Sequence, residues 1–155
     1  MNRALGQRGI QLGAVALGWI VAILAALILG AVLAAIFGAS NAGGVSAGEA
    51  ASVGIGGLIA SFLAYVIGGY VAGSRANAAR PLNGAMTAVF GLVVGLILAI
   101  ILSILLLLTG GSGFPPGPLG LGSASGGGFI SVLIAFLVNL AGGYVGGRVA
   151  ESRGR

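Results

Sequence analysis

The sequence predicts an all-α integral membrane protein, a four-helix bundle made of two tandem helical hairpins, with both termini on the cytoplasmic side. Three observations lead to this prediction: an apolar composition, four long apolar runs, and arginines confined to one set of segment ends. Of the 155 residues, 58% are hydrophobic and 6% are charged, whereas soluble domains carry about 25% charged residues. The membrane is therefore the expected solvent, and the length suits one domain over residues 1–155.

The first hairpin is expected over residues 9–75. Its first helix covers Leu12 to Phe37, 26 residues without a charge, and about 20 apolar residues suffice to span a membrane. This run is too long for the core of a cleaved signal peptide, so we expect an uncleaved helix. A second helix is expected from about Ala50 to Gly73. Ser46 and Glu49 have the spacing of a capping box at its start; ligand binding by Glu49 is the alternative.

The second hairpin is expected over residues 82–148. Its first helix, the third of the chain, should end near Thr109, and Pro81 is expected in its first turn. A Gly-, Ser- and Pro-rich segment, 110–128, follows and predicts a flexible outer loop, either a tether between hairpins or a lid. The fourth helix is expected from Phe129 to Gly147.

The arginines predict the orientation of the helices. All seven precede helix 1, lie between helices 2 and 3, or follow helix 4, positions that share one side of a four-span protein: Arg3, Arg8, Arg75, Arg80, Arg148, Arg153 and Arg155. The positive-inside rule makes that side cytoplasmic. Arg8, Arg75, Arg80 and Arg148 are expected to set the topology and to contact anionic lipid headgroups. The arginines form no basic run, so we expect no nucleic-acid partner.

The two hairpins resemble each other in sequence. When the chain is shifted by 74 residues, 58–73 aligns with 132–147 with seven identities in 16 positions, and a shift of 73 aligns the small residues of helices 1 and 3. Because matched helices cross in the same direction, the sequence predicts a parallel internal repeat, with a pseudo-two-fold axis along the membrane normal.

Small residues recur every four positions along each predicted helix. In lipid, helices associate through close backbone approach, which small side chains permit. We therefore expect the following glycines to pack helices together, either inside the bundle or between subunits: Gly68, Gly69, Gly73, Gly91, Gly95, Gly142, Gly143 and Gly147.

The inventory of reactive side chains argues against enzyme activity, metal sites and cofactors. The chain has no Cys, His, Lys or Asp, so the usual metal ligands and activated nucleophiles are missing. Glu49 and Glu151 are the two carboxylates, and they are expected at opposite ends of the bundle. No acidic or basic residue lies between the arginines and Glu49, which disfavours ion or proton coupling.

A few polar residues fall inside the predicted spans, namely Ser61, Tyr65, Thr87 and Asn139. Tyr65 and Asn139 occupy equivalent positions of the repeat. One interpretation is a hydrogen bond between helices 2 and 4, worth about 0.6 kcal/mol in membrane proteins. The other is an intramembrane polar site for a small neutral solute.

The segment Gly-Gly-Tyr-Val-Ala-Gly-Ser-Arg, residues 68–75, is followed by Gly84-Ala85-Met86-Thr87. This pattern resembles uncharacterised small four-helix membrane proteins of bacteria, in which a Gly-Gly-Tyr-x-Ala-Gly-Arg-like segment closes one helix. The resemblance covers mainly helices 2 to 4 and implies a fold and a membrane location but no activity.

The sequence thus favours a non-enzymatic protein of the bacterial inner membrane that acts by tight helix packing, as a homo-oligomer or an accessory subunit of a membrane complex. Membrane lipid is the expected partner besides such subunits. The alternative is a passive channel or carrier for a small neutral or lipid-like solute. A dry, closed interior would favour the first interpretation, and a water-filled path the second.

Overall fold

The computed structural model describes residues 9–37, 47–109 and 128–153, and these form four α-helices. The helices are α1 (Leu12–Phe37), α2 (Ala47–Arg75), α3 (Arg80–Leu108) and α4 (Gly128–Arg153). Each contains a stretch long and apolar enough to cross a membrane: Leu12–Leu33, Ile55–Arg75, Arg80–Leu108 and Val132–Arg153. This confirms the predicted all-α architecture with four membrane-length helices.

Three of the predicted helix ends differ from the structure. Helix α2 is longer at both ends than predicted, and α4 continues six residues past Gly147, to Arg153. Gly147 lies inside α4, where it packs against the start of α3. Beyond it, the guanidinium of Arg153 lies 5.7 Å from the ring centre of Tyr70 on α2, a cation–π contact that holds the extended end against its neighbour. Of the predicted capping box, Ser46 lies outside the described residues, whereas Glu49 belongs to α2. Residues 110–127 of the predicted loop also lie outside the described residues, and Gly128 is the first residue of α4.

The bundle places small residues inside and large apolar residues outside. Helix α2 packs against all three other helices, most extensively against α4 and α1, and α3 also contacts α1 and α4. Ala64 and Ala72 of α2 are fully buried, whereas Leu107 and Leu108 at the end of α3 are 77% and 78% exposed. Such an arrangement suits a lipid solvent, since leucine gains little by leaving lipid tails for other apolar side chains, and helices gain by approaching closely.

A four-residue turn, 76–79, joins α2 to α3 and is held by side chains from the start of α3. Its last residue, Ala79, has φ 49° and ψ 45°, a left-handed conformation that costs a residue with a Cβ roughly 1–2 kcal/mol. Pro81 lies in the first turn of α3, as predicted, where its missing N–H removes no helical hydrogen bond. The Nδ2 amide of Asn83 donates to the carbonyls of Ala78, at 3.0 Å, and Ala79, at 3.2 Å, and these bonds stabilise the strained turn.

Candidate functional site: the glycine contacts and the polar recess

Glycines bring the backbones of α2 and α4 into direct contact. A Cβ atom placed on Gly69 would lie 2.7 Å from the Cα of Gly143, and one placed on Gly73 would lie 2.8 Å from the Cα of Gly147. Real Cβ atoms essentially never come this close to another heavy atom. No side chain larger than hydrogen fits at these positions unless the helices separate.

Helix α4 uses the same glycines against α3. A Cβ on Gly147 would lie 2.8 Å from the Cα of Pro81, and one on Gly84 would lie 2.9 Å from the Cα of Gly147. A Cβ on Gly143 would meet the carbonyl carbon of Gly84 at 3.1 Å. Gly143 and Gly147 therefore form a point where three helices meet, α2, α3 and α4, which places these contacts inside the bundle.

The remaining predicted glycines are also buried. Gly68 of α2 lies against Gly18 of α1, where a Cβ on Gly18 would be 2.6 Å from the Gly68 carbonyl oxygen. A Cβ on Gly142 would lie 2.7 Å from the carbonyl oxygen of Phe62. Gly95 is also buried. Gly91 is buried beneath two aromatic side chains rather than against a backbone, and these side chains belong to the polar region described next.

One hydrogen bond joins the polar residues of α2 and α4. The hydroxyl of Ser61 donates to Oδ1 of Asn139 over 2.8 Å. The partner of Asn139 on α2 is therefore Ser61 and not Tyr65, the position equivalent to Asn139 in the predicted repeat. Tyr65 extends instead toward α3, where its hydroxyl oxygen lies 2.6 Å from the position that a Cβ on Gly91 would occupy.

Thr87 does not join the polar group, contrary to the sequence-based grouping. It is fully buried, and its hydroxyl donates to the Gly84 carbonyl of its own helix over 2.6 Å. Its Oγ1 would lie 3.1 Å from a Cβ on Gly143, and its Cγ2 2.8 Å from a Cβ on Gly18. Thr87 thus fills the space that the glycines of α1 and α4 leave at the centre of the bundle.

A small recess lies beside Tyr65, where α2, α3 and α4 meet. Its volume is about 20 Å³, which is room for roughly one water molecule. The recess is lined by Tyr65, Ala88, Leu92, Val132, Ala135, Phe136 and Asn139. Ser61 and Thr87 are not among its lining residues, so the four predicted polar residues do not form one site.

The predicted topology arginines differ in their environments. Arg75 and Arg148 are exposed, as residues that contact headgroups would be. Arg80 is half-buried and donates from Nε to the Ala76 carbonyl at 3.4 Å and from Nη1 to the Ala150 carbonyl at 3.2 Å. Arg80 therefore ties the α2–α3 turn to α4, a structural role not predicted from the sequence. Arg8 lies outside the described residues.

Sequence reasoning missed two residues that the fold makes important. Asn83 is fully buried and accepts a hydrogen bond from the Gln11 backbone N–H, at 2.7 Å, on Oδ1. It thereby attaches the start of α1 to the α2–α3 turn. Trp19 packs edge-on against Phe90, with ring centres 5.5 Å apart, and its enclosed indole N–H has no hydrogen-bond partner in the part of the chain that the structure describes. For Trp19 the available signal was that it is the single tryptophan of the chain, within an apolar run; Asn83 gave none, because it ends the polar connection between two predicted helices.

Comparisons with models of protein families, with curated proteins and with solved structures found no match. Among residues 9–37, 47–109 and 128–153, no group of three or more metal-ligating side chains is present. The functional argument therefore depends on the packing, the recess and the distribution of charge.

Proposed function

We propose that this protein is a non-enzymatic integral membrane protein of the bacterial inner membrane, which acts through a tightly packed helical core and associates laterally with other membrane helices, either those of a second copy or those of a partner protein. One observation carries the proposal: glycine-to-backbone contacts join α2 to both α1 and α4, and α4 to α3. These contacts leave little interior space for a solute pathway.

The alternative, a passive channel or carrier, requires a continuous polar path. Thr87 is enclosed and bonded to its own helix, and the recess beside Tyr65 admits about one water molecule. Asn139 lines this recess, and its Oδ1 already accepts a hydrogen bond from Ser61. The described interior therefore favours packing over conduction.

Lateral association is supported by the large apolar surface outside the packed core. In the half of α1 that is distant from the arginines, Leu27 and Ile28 are 62% and 66% exposed. The corresponding half of α3 is almost wholly exposed. Such a surface can be covered equally well by lipid tails or by other transmembrane helices. Helices replace the lipid only where their backbones can approach this surface closely. Gly30 and Gly57, which have no atom within 4 Å of their Cβ positions, leave that approach open.

The permeability of liposomes containing the purified protein tests the choice between packing and conduction. We expect glycerol and urea entry, followed by stopped-flow light scattering, to equal that of protein-free liposomes. Faster entry that disappears in Asn139→Leu, with the helical circular dichroism retained, would establish the alternative. In mild detergent, the mass measured by light scattering should exceed the 14.9 kDa of one chain; a bare monomer that recovers no partner on purification from its native membrane would contradict lateral association.

The proposed orientation, with both termini cytoplasmic, is tested separately. The chain contains no cysteine, so single cysteines are specific probes. In whole cells, an impermeant thiol reagent should label Ser112→Cys and should not label Ser74→Cys or Ser152→Cys. The opposite labelling pattern would reverse the topology.

A further inference from the structure

Two residues that line the recess between α2, α3 and α4 carry hydrogen-bond donors for which the described residues provide no acceptor. In Asn139, Oδ1 accepts from Ser61, which leaves the amide nitrogen with two N–H donors. That nitrogen makes no hydrogen bond to any described residue, and neither does the hydroxyl of Tyr65, a residue only 7% exposed. Among the described residues, Trp19 Nε1 is the only unpaired side-chain polar atom that is completely enclosed. Both donors therefore keep an accessible edge.

These donors lie deep in the apolar part of the protein. Tyr65 precedes Arg75 by ten residues on α2, about 15 Å of helix, which is half of a hydrocarbon core of about 30 Å. At that depth lipid headgroups cannot reach them, and an unmet donor in hydrocarbon is costly. A molecule that brings an acceptor oxygen to this depth would satisfy them.

The lining of the recess defines the kind of molecule that fits. None of the seven lining residues is charged, so an ionised ligand would have no counter-charge and would be expensive to bury. The open volume, about 20 Å³, holds one oxygen-sized group and not a whole ring or chain. Leu92, Val132 and Phe136 also line the recess, and they offer an apolar surface to the rest of a lipid-soluble ligand.

We propose that this recess binds the carbonyl oxygen of a neutral molecule dissolved in the bilayer, of the ketone or quinone class. The carbonyl accepts from Asn139 Nδ2 and from the Tyr65 hydroxyl, and the apolar body of the ligand stays at the opening. The proposal concerns binding, not conduction, and stands independently of the packing function proposed above.

The tryptophan of this chain provides a direct readout. Trp19 is the single tryptophan. Its Nε1 lies 2.8 Å from the Cβ position of Gly91, and the Tyr65 hydroxyl lies 2.6 Å from the same point, so these two polar atoms are within 5.4 Å of each other. A quinone held by Tyr65 would therefore lie close enough to quench Trp19 fluorescence by electron transfer.

The experiment titrates duroquinone into liposomes that contain the full chain and follows Trp19 emission. The wild type should show a saturable quenching phase above the linear background of a quencher dissolved in lipid. In Asn139→Leu and in Tyr65→Phe the midpoint of that phase should rise at least tenfold. The matched control is Val145→Leu, an exposed site on the same helix, which should behave as the wild type. The ketone 2-nonanone should displace duroquinone, whereas nonane should not.

Several results would overturn the proposal. Strictly linear quenching in the wild type would mean that water alone occupies the recess. Saturable quenching that both variants retain, or that nonane displaces as well as 2-nonanone does, would mean that the quinone binds elsewhere or without the hydrogen bonds. Should Asn139→Leu lose its helical circular dichroism, Tyr65→Phe decides the outcome, because it removes only one oxygen.

Discussion

The small-residue stripes behave differently at the two ends of the bundle. Near the arginine-bearing end, Gly69 and Gly143 are pressed against neighbouring backbones, whereas at the opposite end Gly30 of α1 and Gly57 of α2 have nothing within 4 Å of their Cβ positions. The residue type and the four-residue spacing are the same in both regions. Spacing therefore shows that a helix face is smooth enough to pack, and the fold determines which part of that face is used.

The largest effect is expected at the three-helix contact. Leucine at Gly143 would have to displace the backbone of Gly84 and the side chain of Thr87. Overpacking typically costs about 1–3 kcal/mol and occasionally more, and we expect about 3 kcal/mol here because backbone atoms cannot turn aside. Unfolding by SDS from mixed micelles measures this loss. Val145→Leu is the control, and equal stability of the two variants would mean that the close contact does not exist.

The next effect concerns Asn83, which belongs to the same packed end. Asn83→Leu removes the acceptor of the Gln11 N–H and the donors to Ala78 and Ala79. An unsatisfied buried group costs about 1–3 kcal/mol, so we expect a loss of that size in the same SDS assay. Hydrogen exchange should also accelerate at Gln11 by at least tenfold. An unchanged exchange rate at Gln11, with the protein still folded, would show that Asn83 does not hold the start of α1.

A smaller effect of opposite sign is expected at Ala79. Its left-handed backbone, φ 49°, suits glycine, which adopts this conformation without a Cβ clash. Ala79→Gly should raise the unfolding free energy by about 0.5–1 kcal/mol, since the relief of about 1–2 kcal/mol is partly offset by the greater freedom of glycine in the unfolded chain. Ala78→Gly is the matched control and should not stabilise the protein. A loss of stability in Ala79→Gly would contradict the strained turn.

The smallest effect is expected at the open end of the stripe. Gly30→Ala adds a methyl group where no atom lies within 4 Å, and alanine is the better helix former by up to about 1 kcal/mol in water. The stability of the isolated protein should be unchanged or slightly higher. If Gly30→Ala destabilises a purified monomer, the contrast between the two ends is wrong. If it leaves the monomer intact and reduces its association, Gly30 lies in a lateral interface.

Much of the candidate packing site could be anticipated, but little of the polar site. Gly69 and Gly143 are matched positions of the predicted repeat, and so are Gly73 and Gly147. The recurrence of glycine at these positions was a usable signal even in a chain of few residue types. Sequence reasoning allowed a hydrogen bond between helices 2 and 4, and one is present, but it does not involve Tyr65, the position equivalent to Asn139 in the predicted repeat. Ser61, one turn from Tyr65, is the actual partner of Asn139, since rotation of the helices decides which side chain reaches across.

Sequence by itself determined the class of the protein. Four uninterrupted apolar runs, with charges only at their ends, leave a chain no way to satisfy its backbone in lipid except as helices, and the limits of α1 follow directly from this. The continuation of α4 past Gly147, the buried role of Asn83, the use of Arg80 as a tie between carbonyls and the recess beside Tyr65 were decided by tertiary structure. Each depends on how closely the helices approach and how each is rotated about its axis, and these are properties of helix pairs that no single apolar run encodes.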